Sequence, residues 1–164
     1  MSAWVFPTTA DAGMRVYAPN LSTLMVDAAL GVQSYLISTS AVSRIQELPR
    51  HTGEWRVRAD HSRHDSSMLF VAWLDEILYR NEVHQQWLTE AHLRIEESIE
   101  GLEIVAQISW VNGSEIEREI EIKAVTTHEL QVSQVDAGQT VPGGHEDVPD
   151  FVGPGWYANV VFDI

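Results

Sequence analysis

The stretch GWYANVVFDI, residues 155–164, indicates how this chain folds. From Trp156 onward it predicts an apolar β-strand, because aromatic and β-branched residues are enriched in strands. An apolar strand at this place in the sequence is expected to be held inside a sheet rather than to fray. The segments before it are therefore expected to supply neighbouring strands and the helices that pack on them.

Two earlier segments predict helices. Ser22 can cap a helix over residues 23–36, in which apolar side chains recur at the helical period on one face. Ser66 or Ser67 can cap a second helix, and that helix is apolar on more than one side. The second helix is therefore expected to be the more deeply buried of the two.

The other apolar segments alternate and predict strands. Asn112 and Gly113 both tolerate positive φ, so they predict a tight hairpin turn with a returning strand that runs to Ala124. Strands grouped after helices favour an α+β fold over a doubly wound parallel sheet. We expect a single compact domain, mainly an antiparallel sheet with two principal helices. Besides the final strand, strands are predicted at residues 4–6, 14–18, 55–59, 91–95, 102–111 and 130–132.

Residues 135–155 differ in composition from the rest of the chain. They hold five of the ten glycines and three of the six prolines, together with Asp136, Glu146, Asp147 and Asp150. A segment of this composition has few apolar side chains to bury and is typical of a surface loop. We therefore expect a Gly/Pro-rich insertion or flap at about 135–155.

The charge of the chain limits its partners. The 164 residues carry 10 Lys and Arg against 24 Asp and Glu, a net charge of −14. Stable binding to nucleic acid depends mainly on Lys and Arg neutralising phosphates, so direct nucleic-acid binding is not expected. Cations, or a basic surface on another protein, are the more natural partners of such a chain.

The sequence also indicates where the protein acts. It contains no cysteine, which excludes disulfides and thiolate chemistry and is compatible with the cytoplasm. No apolar run approaches the ~20 residues of a membrane helix, and the first residues lack the basic and apolar regions of a signal peptide. A cytoplasmic protein without a membrane partner is expected.

Local motifs give little evidence of catalysis. The sequence has no Gly-rich phosphate loop and none of the standard hydrolase, metalloprotease or kinase signatures. Asp60, His61, His64 and Asp65 are of the residue types that bind metals, and histidines three apart could share an ion on a helix. The favoured interpretation is instead a solvated loop before the second helix, in which Asp65 adds favourable charge near the helix N-terminus.

Three separated segments carry a stronger signal together than singly. They are TADAG at residues 9–13, EIKAVTTH at 121–128 and the final stretch at 155–164. In this order and at these positions they resemble the archease family, small proteins that activate the RNA-splicing tRNA ligase. Residues 20–36 and 69–79 look like the first and second helices of that family. The resemblance spans nearly the whole chain apart from the loop at 135–155.

The resemblance implies a function and a set of site residues. Archeases are not enzymes by themselves; they promote guanylylation of a manganese- and GTP-dependent ligase and allow it multiple turnover. Carried over residue by residue, the metal-binding aspartates of the family correspond to Asp11 and Asp163. The main-chain carboxylate of Ile164 completes that site, and Lys123 matches a lysine tied to activity.

The chemistry of these residues agrees with a hard cation. Ca²⁺ and Mg²⁺ prefer carboxylate oxygens, and like charges brought together are costly unless a cation neutralises them. A divalent ion, Ca²⁺ or Mg²⁺, is therefore the expected cofactor. Considered without the family, Asp11 is an ordinary turn residue, Asp163 a charge at a strand end and Lys123 a solvent-facing partner of neighbouring glutamates.

The chain also departs from the family pattern. Thr8 stands where the family usually has a histidine, and Thr127 where it usually has a tyrosine, so a changed partner is one interpretation. A chaperone-like module that binds proteins independently of a ligase is the second hypothesis. A metal-dependent hydrolase that uses the carboxylates and His128 is the third and weakest, because no nucleophile or general base is identifiable from spacing.

Overall fold

The computed structural model describes residues 2–9, 11–59 and 65–164. Over those ranges the chain forms three helices and ten strands, and the expected α+β fold is confirmed. The helices are α1 (Leu21–Leu36), α2 (Thr39–Ile45) and α3 (Ser66–Val83). The strands are β1 (Ala3–Pro7), β2 (Ala12–Ala18), β3 (Arg50–Arg58), β4 (Gln86–Ser98), β5 (Gly101–Asn112), β6 (Ala124–Val125), β7 (Gln131–Val135), β8 (Thr140–Val141), β9 (Phe151–Val152) and β10 (Gly155–Asp163).

The strands form two larger antiparallel sheets and a small one. The first sheet has the order β1-β2-β10-β6, and β7 also pairs with β10. The second has the order β3-β5-β4, and β8 pairs with β9. The final apolar strand, β10, therefore lies in the middle of the first sheet. Its expected place inside a sheet is confirmed.

Both long helices contribute to a core that they share with both large sheets. α1 contacts β2 and β10 of the first sheet and β4 of the second, while α3 contacts β3, β4 and β5 as well as β6 and β7. Trp73 of α3 is fully buried, and its indole N–H donates to the Met25 carbonyl of α1 at 2.8 Å. Contact with both sheets explains why α3 is apolar on more than one side. The expectation that α3 is the more deeply buried helix is wrong, since seven of its 18 residues are buried against seven of the 16 residues of α1.

The helix caps differ from the predicted ones by one or two residues. Asn20 caps α1, because its Oδ1 accepts a hydrogen bond from the Thr23 amide at 2.8 Å. Asp65 caps α3 and accepts from the Ser67 amide at 2.9 Å. Asn and Asp are at least as good as Ser at this position, so the nearby serines gave the right region and the wrong residue.

The hairpin predicted at Asn112-Gly113 is wrong. The chain instead turns between β4 and β5, where Gly101 has a φ of 119°. Gly113 has a different reason to be glycine, since a Cβ there would lie 2.1 Å from the Trp87 ring. After Asn112 the chain leaves the sheet, and the Glu119 amide donates to the Leu36 carbonyl at the end of α1.

This packing predicts that Gly113→Ala destabilises the fold by about 1–3 kcal/mol, because the fully buried Trp87 ring must move. Chemical denaturation monitored by tryptophan fluorescence measures the change. Gly53→Ala is the control, since its Cβ would meet only Ile108 at 3.7 Å. We expect the control to change stability by less than about 1 kcal/mol. Equal effects of the two substitutions would contradict the proposed clash.

Residues 135–155 bury more than their composition predicts. Val148 is buried with Phe6 and Tyr17 on the face of the first sheet opposite the helices. The Tyr17 hydroxyl donates to the Pro149 carbonyl at 2.7 Å, and the His145 ring stacks on Phe6 with centroids 3.7 Å apart. With the helices on one face and this segment on the other, every residue of β2 is buried.

Candidate functional site

Asp11 and Asp163 are placed at the same end of the first sheet. β2 and β10 are antiparallel neighbours, so the start of one lies beside the end of the other. The last registered pair is Phe162 with Ala12, and the two aspartates each lie one residue beyond it. Residues opposite one another in such a ladder have Cα atoms about 4.5–5.5 Å apart. The register thus places both residues at one end of the sheet.

Lys123 lies at the same end of the sheet, immediately before β6. β6 pairs with the end of β10, with Asp163 opposite Ala124. The Lys123 amide donates to the Asp163 carbonyl at 2.7 Å, which fixes the two residues side by side. The Lys123 side chain is exposed and makes no ion pair with any residue that the structure describes. Its charge is therefore available to a partner rather than used to neutralise Asp163.

The two aspartates are accessible and lack a counter-charge. Asp11 is half-buried and Asp163 is exposed, and neither carboxylate has a hydrogen bond or ion pair within the described part of the chain. Ile164, next along, is 37% exposed. Two unneutralised carboxylates at the same end of a sheet repel each other, and a cation would relieve that repulsion.

The donor set fits a hard cation only in part. Over residues 2–9, 11–59 and 65–164, no group of three His, Cys, Asp or Glu side chains is placed to hold a metal ion. Asp11 and Asp163 supply two carboxylate groups, and the Ile164 main-chain carboxylate would be the third. Ca²⁺ takes about six to eight oxygens, so water or a partner protein would have to provide the rest.

The other residues named from the family pattern lie in turns at this end of the first sheet. Thr8 closes the turn between β1 and β2, where its amide donates to the Asp11 carbonyl at 3.1 Å. Thr127 and His128 lie in the turn between β6 and β7, and both side chains are exposed. The hydroxyl of Thr126 anchors this turn by donating to the Val161 carbonyl at 2.9 Å.

Asp60, His61 and His64 of the alternative metal cluster lie outside the described residues. The fourth member, Asp65, is engaged as the cap of α3.

Two features near the site were not predicted from the sequence. A groove of about 310 Å³ adjoins Lys123, with Leu78 and Ile122 in its walls. Tyr79 and Val83, one turn apart on α3, are 50% and 57% exposed beside it. The only signal in the sequence was that the apolar pattern of α3 continues to its last turn.

The second unpredicted feature is a buried arginine beneath the segment at 135–155. Arg15 is 9% exposed, and its Nε donates to Asn159 Oδ1 at 3.2 Å. Its Nη1 donates to the Pro142 carbonyl at 2.9 Å, which ties that segment to β2. Arg15 therefore holds the segment at 135–155 against β2 through hydrogen bonds to uncharged oxygen atoms.

Comparison with known proteins identifies relatives over most of the chain. A model of the archease protein family matches residues 4–164. Protein archease from Methanothermobacter thermautotrophicus is 29% identical over 135 residues, which cover 80% of this chain and 88% of that protein. Protein archease from Saccharolobus islandicus strain M.14.25 is 28% identical over 136 residues, covering 83% of this chain and 91% of the relative.

The fold is similar to a solved structure as well. The solution structure of Methanobacterium thermoautotrophicum protein 1598 matches with a TM-score of 0.60 and 22% identity, and the match covers 99% of both chains. At that identity the likeness concerns the fold, and it supports the α+β architecture. Within the described ranges, no helix is both long enough and apolar enough to cross a membrane.

Proposed function

The chain belongs to the archease family, and we propose that it is a protein cofactor of an RNA-splicing tRNA ligase. Family membership supports the general role of ligase activator. The proposal adds that the chain promotes guanylylation of a manganese- and GTP-dependent ligase and allows it multiple turnover. It acts in the cytoplasm without catalysing a reaction of its own.

The observation that carries the proposal is the convergence of Asp11, Lys123 and Asp163 at one end of the first sheet. The two aspartates, with the Ile164 carboxylate, would hold Ca²⁺ or Mg²⁺ through oxygen ligands. When bound, the ion supplies positive charge that neutralises the carboxylates. Lys123 remains free to contact an acidic or phosphate group of the ligase complex.

The charge of the chain suits this role. A ligase that handles RNA presents a basic surface, and a partner with a net charge of −14 is attracted to it. Such attraction raises the rate of association more than the affinity. The exposed position of Asp163 and Lys123 leaves the site open to a docked protein.

The direct test of guanylylation uses radiolabelled GTP and the cognate ligase. We expect an equimolar amount of the chain to increase the yield of covalent ligase–GMP, since the proposed step precedes joining of the RNA. A ligase-independent chaperone would leave that yield unchanged and suppress aggregation of unrelated proteins instead. An unchanged yield of ligase–GMP would overturn the proposal.

The Ile164 carboxylate has its own prediction. A short tag added after Ile164 converts that carboxylate into a neutral amide, so we expect weaker binding of Ca²⁺ or Mg²⁺ in isothermal titration calorimetry. Loss of one carboxylate ligand should reduce the affinity by at least about tenfold, the lower limit for altering groups that only support metal ligands. The same tag placed before Ser2 is the control. Equal cation affinities of the two tagged proteins would remove Ile164 from the site.

A further inference from the structure

β1 forms one edge of the first sheet, and the direction of its hydrogen bonds can be read from its register. The Tyr17 amide donates to the Ser2 carbonyl at 2.9 Å in a ladder that continues as Ala3 opposite Val16. Hydrogen-bonded and non-hydrogen-bonded pairs alternate in such a ladder. The backbone groups of Ala3 and Val5 therefore point away from β2. They make no hydrogen bond with any residue that the structure describes.

A groove runs beside this open edge. Its other wall is a stripe of α1 that includes Asp27, Leu30, Gly31 and Tyr35, spaced so that they share one helix face. The groove has a volume of about 400 Å³. Gly31 allows α1 and β1 to approach closely, since a Cβ at that position would lie 2.8 Å from the Ala3 Cβ.

The combination of an open strand edge and a flanking helix groove fits one class of ligand. An extended segment can add to a sheet as a further strand, in which main-chain hydrogen bonds give affinity and alternate side chains enter the groove. We propose that the groove between β1 and α1 binds an extended, basic segment of another protein by strand addition. This site is separate from the proposed ligase activation and does not depend on it.

Charge decides between a partner and a second copy of the chain. Asp27 lines the groove and makes no ion pair or hydrogen bond within the described ranges. Its negative charge is therefore free to pair with a basic side chain of a partner. A second copy also carries a net charge of −14, and repulsion between two such chains opposes self-pairing. Pro7 ends β1 and has no N–H to offer, which limits the added strand to a short segment.

The probe for this site is the capped peptide Thr-Lys-Thr-Val-Thr-Val-Thr, whose Lys and Val side chains share one face of a strand. At physiological salt, NMR hydrogen exchange should show the Ala3 and Val5 amides slowed at least tenfold at saturation. The same peptide with Glu in place of Lys should bind about two- to fivefold more weakly, the range of an exposed ion pair. A peptide whose backbone amides that point toward β1 are N-methylated should not bind.

Variants of the chain separate the backbone contribution from the charge. Ala3→Pro removes an outward donor and should abolish binding, while Ala3→Ser keeps the N–H and should bind normally. Asp27→Asn should remove the difference between the Lys and Glu peptides. Absence of binding at millimolar peptide, or unchanged exchange at Ala3 and Val5 on binding, would overturn the proposal. A dimer in sedimentation whose Ala3 and Val5 amides are already protected would overturn it as well.

Discussion

Asp163→Asn should reduce activation of the ligase by about 10–100-fold or more. Altering residues that only support the ligands of a metal site already causes losses of this size. The substitution keeps the shape of the side chain and removes the negative charge of a proposed metal ligand where β10 ends. Asp11→Asn should have the same effect, because the register places it beside Asp163. Initial rates of ligation of cleaved tRNA halves by the cognate ligase measure the loss.

The control for this prediction is Asp147→Asn. It makes the same chemical change in an exposed aspartate of the segment at 135–155 that belongs to none of the strands β2, β6 and β10. We expect it to leave the rate unchanged. If Asp147→Asn and Asp163→Asn lower the rate equally, the effect belongs to net charge, and the carboxylate pair is not the site. Thermal unfolding of each variant separates loss of function from loss of fold.

Trp73→Ala should destabilise the protein by about 3–5 kcal/mol, the usual cost of removing a large aromatic side chain from a core. Trp73 is fully buried between α1 and both sheets. The substitution also leaves the Met25 carbonyl without its hydrogen-bond donor. Urea denaturation measures the free energy of unfolding.

The matched control lies on the same helix. Tyr79 is 50% exposed, so Tyr79→Ala should change the free energy of unfolding by less than about 1 kcal/mol. Trp73→Phe should fall between the two, since it retains the ring packing and loses the hydrogen bond. A loss below about 1 kcal/mol for Trp73→Ala would contradict a core shared by the two helices and both sheets.

The architecture could be predicted where periodicity and composition agreed. Residues 155–164 predict an apolar strand, and β10 lies in the middle of the first sheet. The same pattern overestimated the burial of α3, since its apolar side chains continue to Tyr79 and Val83, which are 50% and 57% exposed. The prediction of β10 held because its apolar pattern reflects burial, and most residues of this strand are buried.

Local turn chemistry was a poorer guide because tertiary contacts override it. Asn112-Gly113 does mark a turn, since Asn112 Oδ1 accepts from the Ser114 amide at 2.9 Å. Residue 113 must nevertheless be glycine because the Trp87 ring occupies the space of a Cβ, and the chain does not return as a strand. Likewise, Val148 is buried because the outer face of β2 needs a cover, which the composition of residues 135–155 does not reveal.

The candidate site required both the family resemblance and the structure. The resemblance named Asp11, Asp163 and Lys123, although nothing in the spacing of residues so far apart predicts that they meet. The order β2-β10-β6 explains how they do, because it sets the start of one strand beside the end of the next. The free edge of β1 and the groove beside α1 follow from that same order and have no signature in the sequence.

The activator function is decided by multiple-turnover ligation of cleaved tRNA halves with the chain present in catalytic amounts. We expect the ligase alone to stop near one product per enzyme and the added chain to restore continued turnover. Substitution of Asp11 and Asp163 together should return the ligase to a single round. If catalytic amounts of the unaltered chain change neither guanylylation nor the number of products per ligase, the activator function is contradicted.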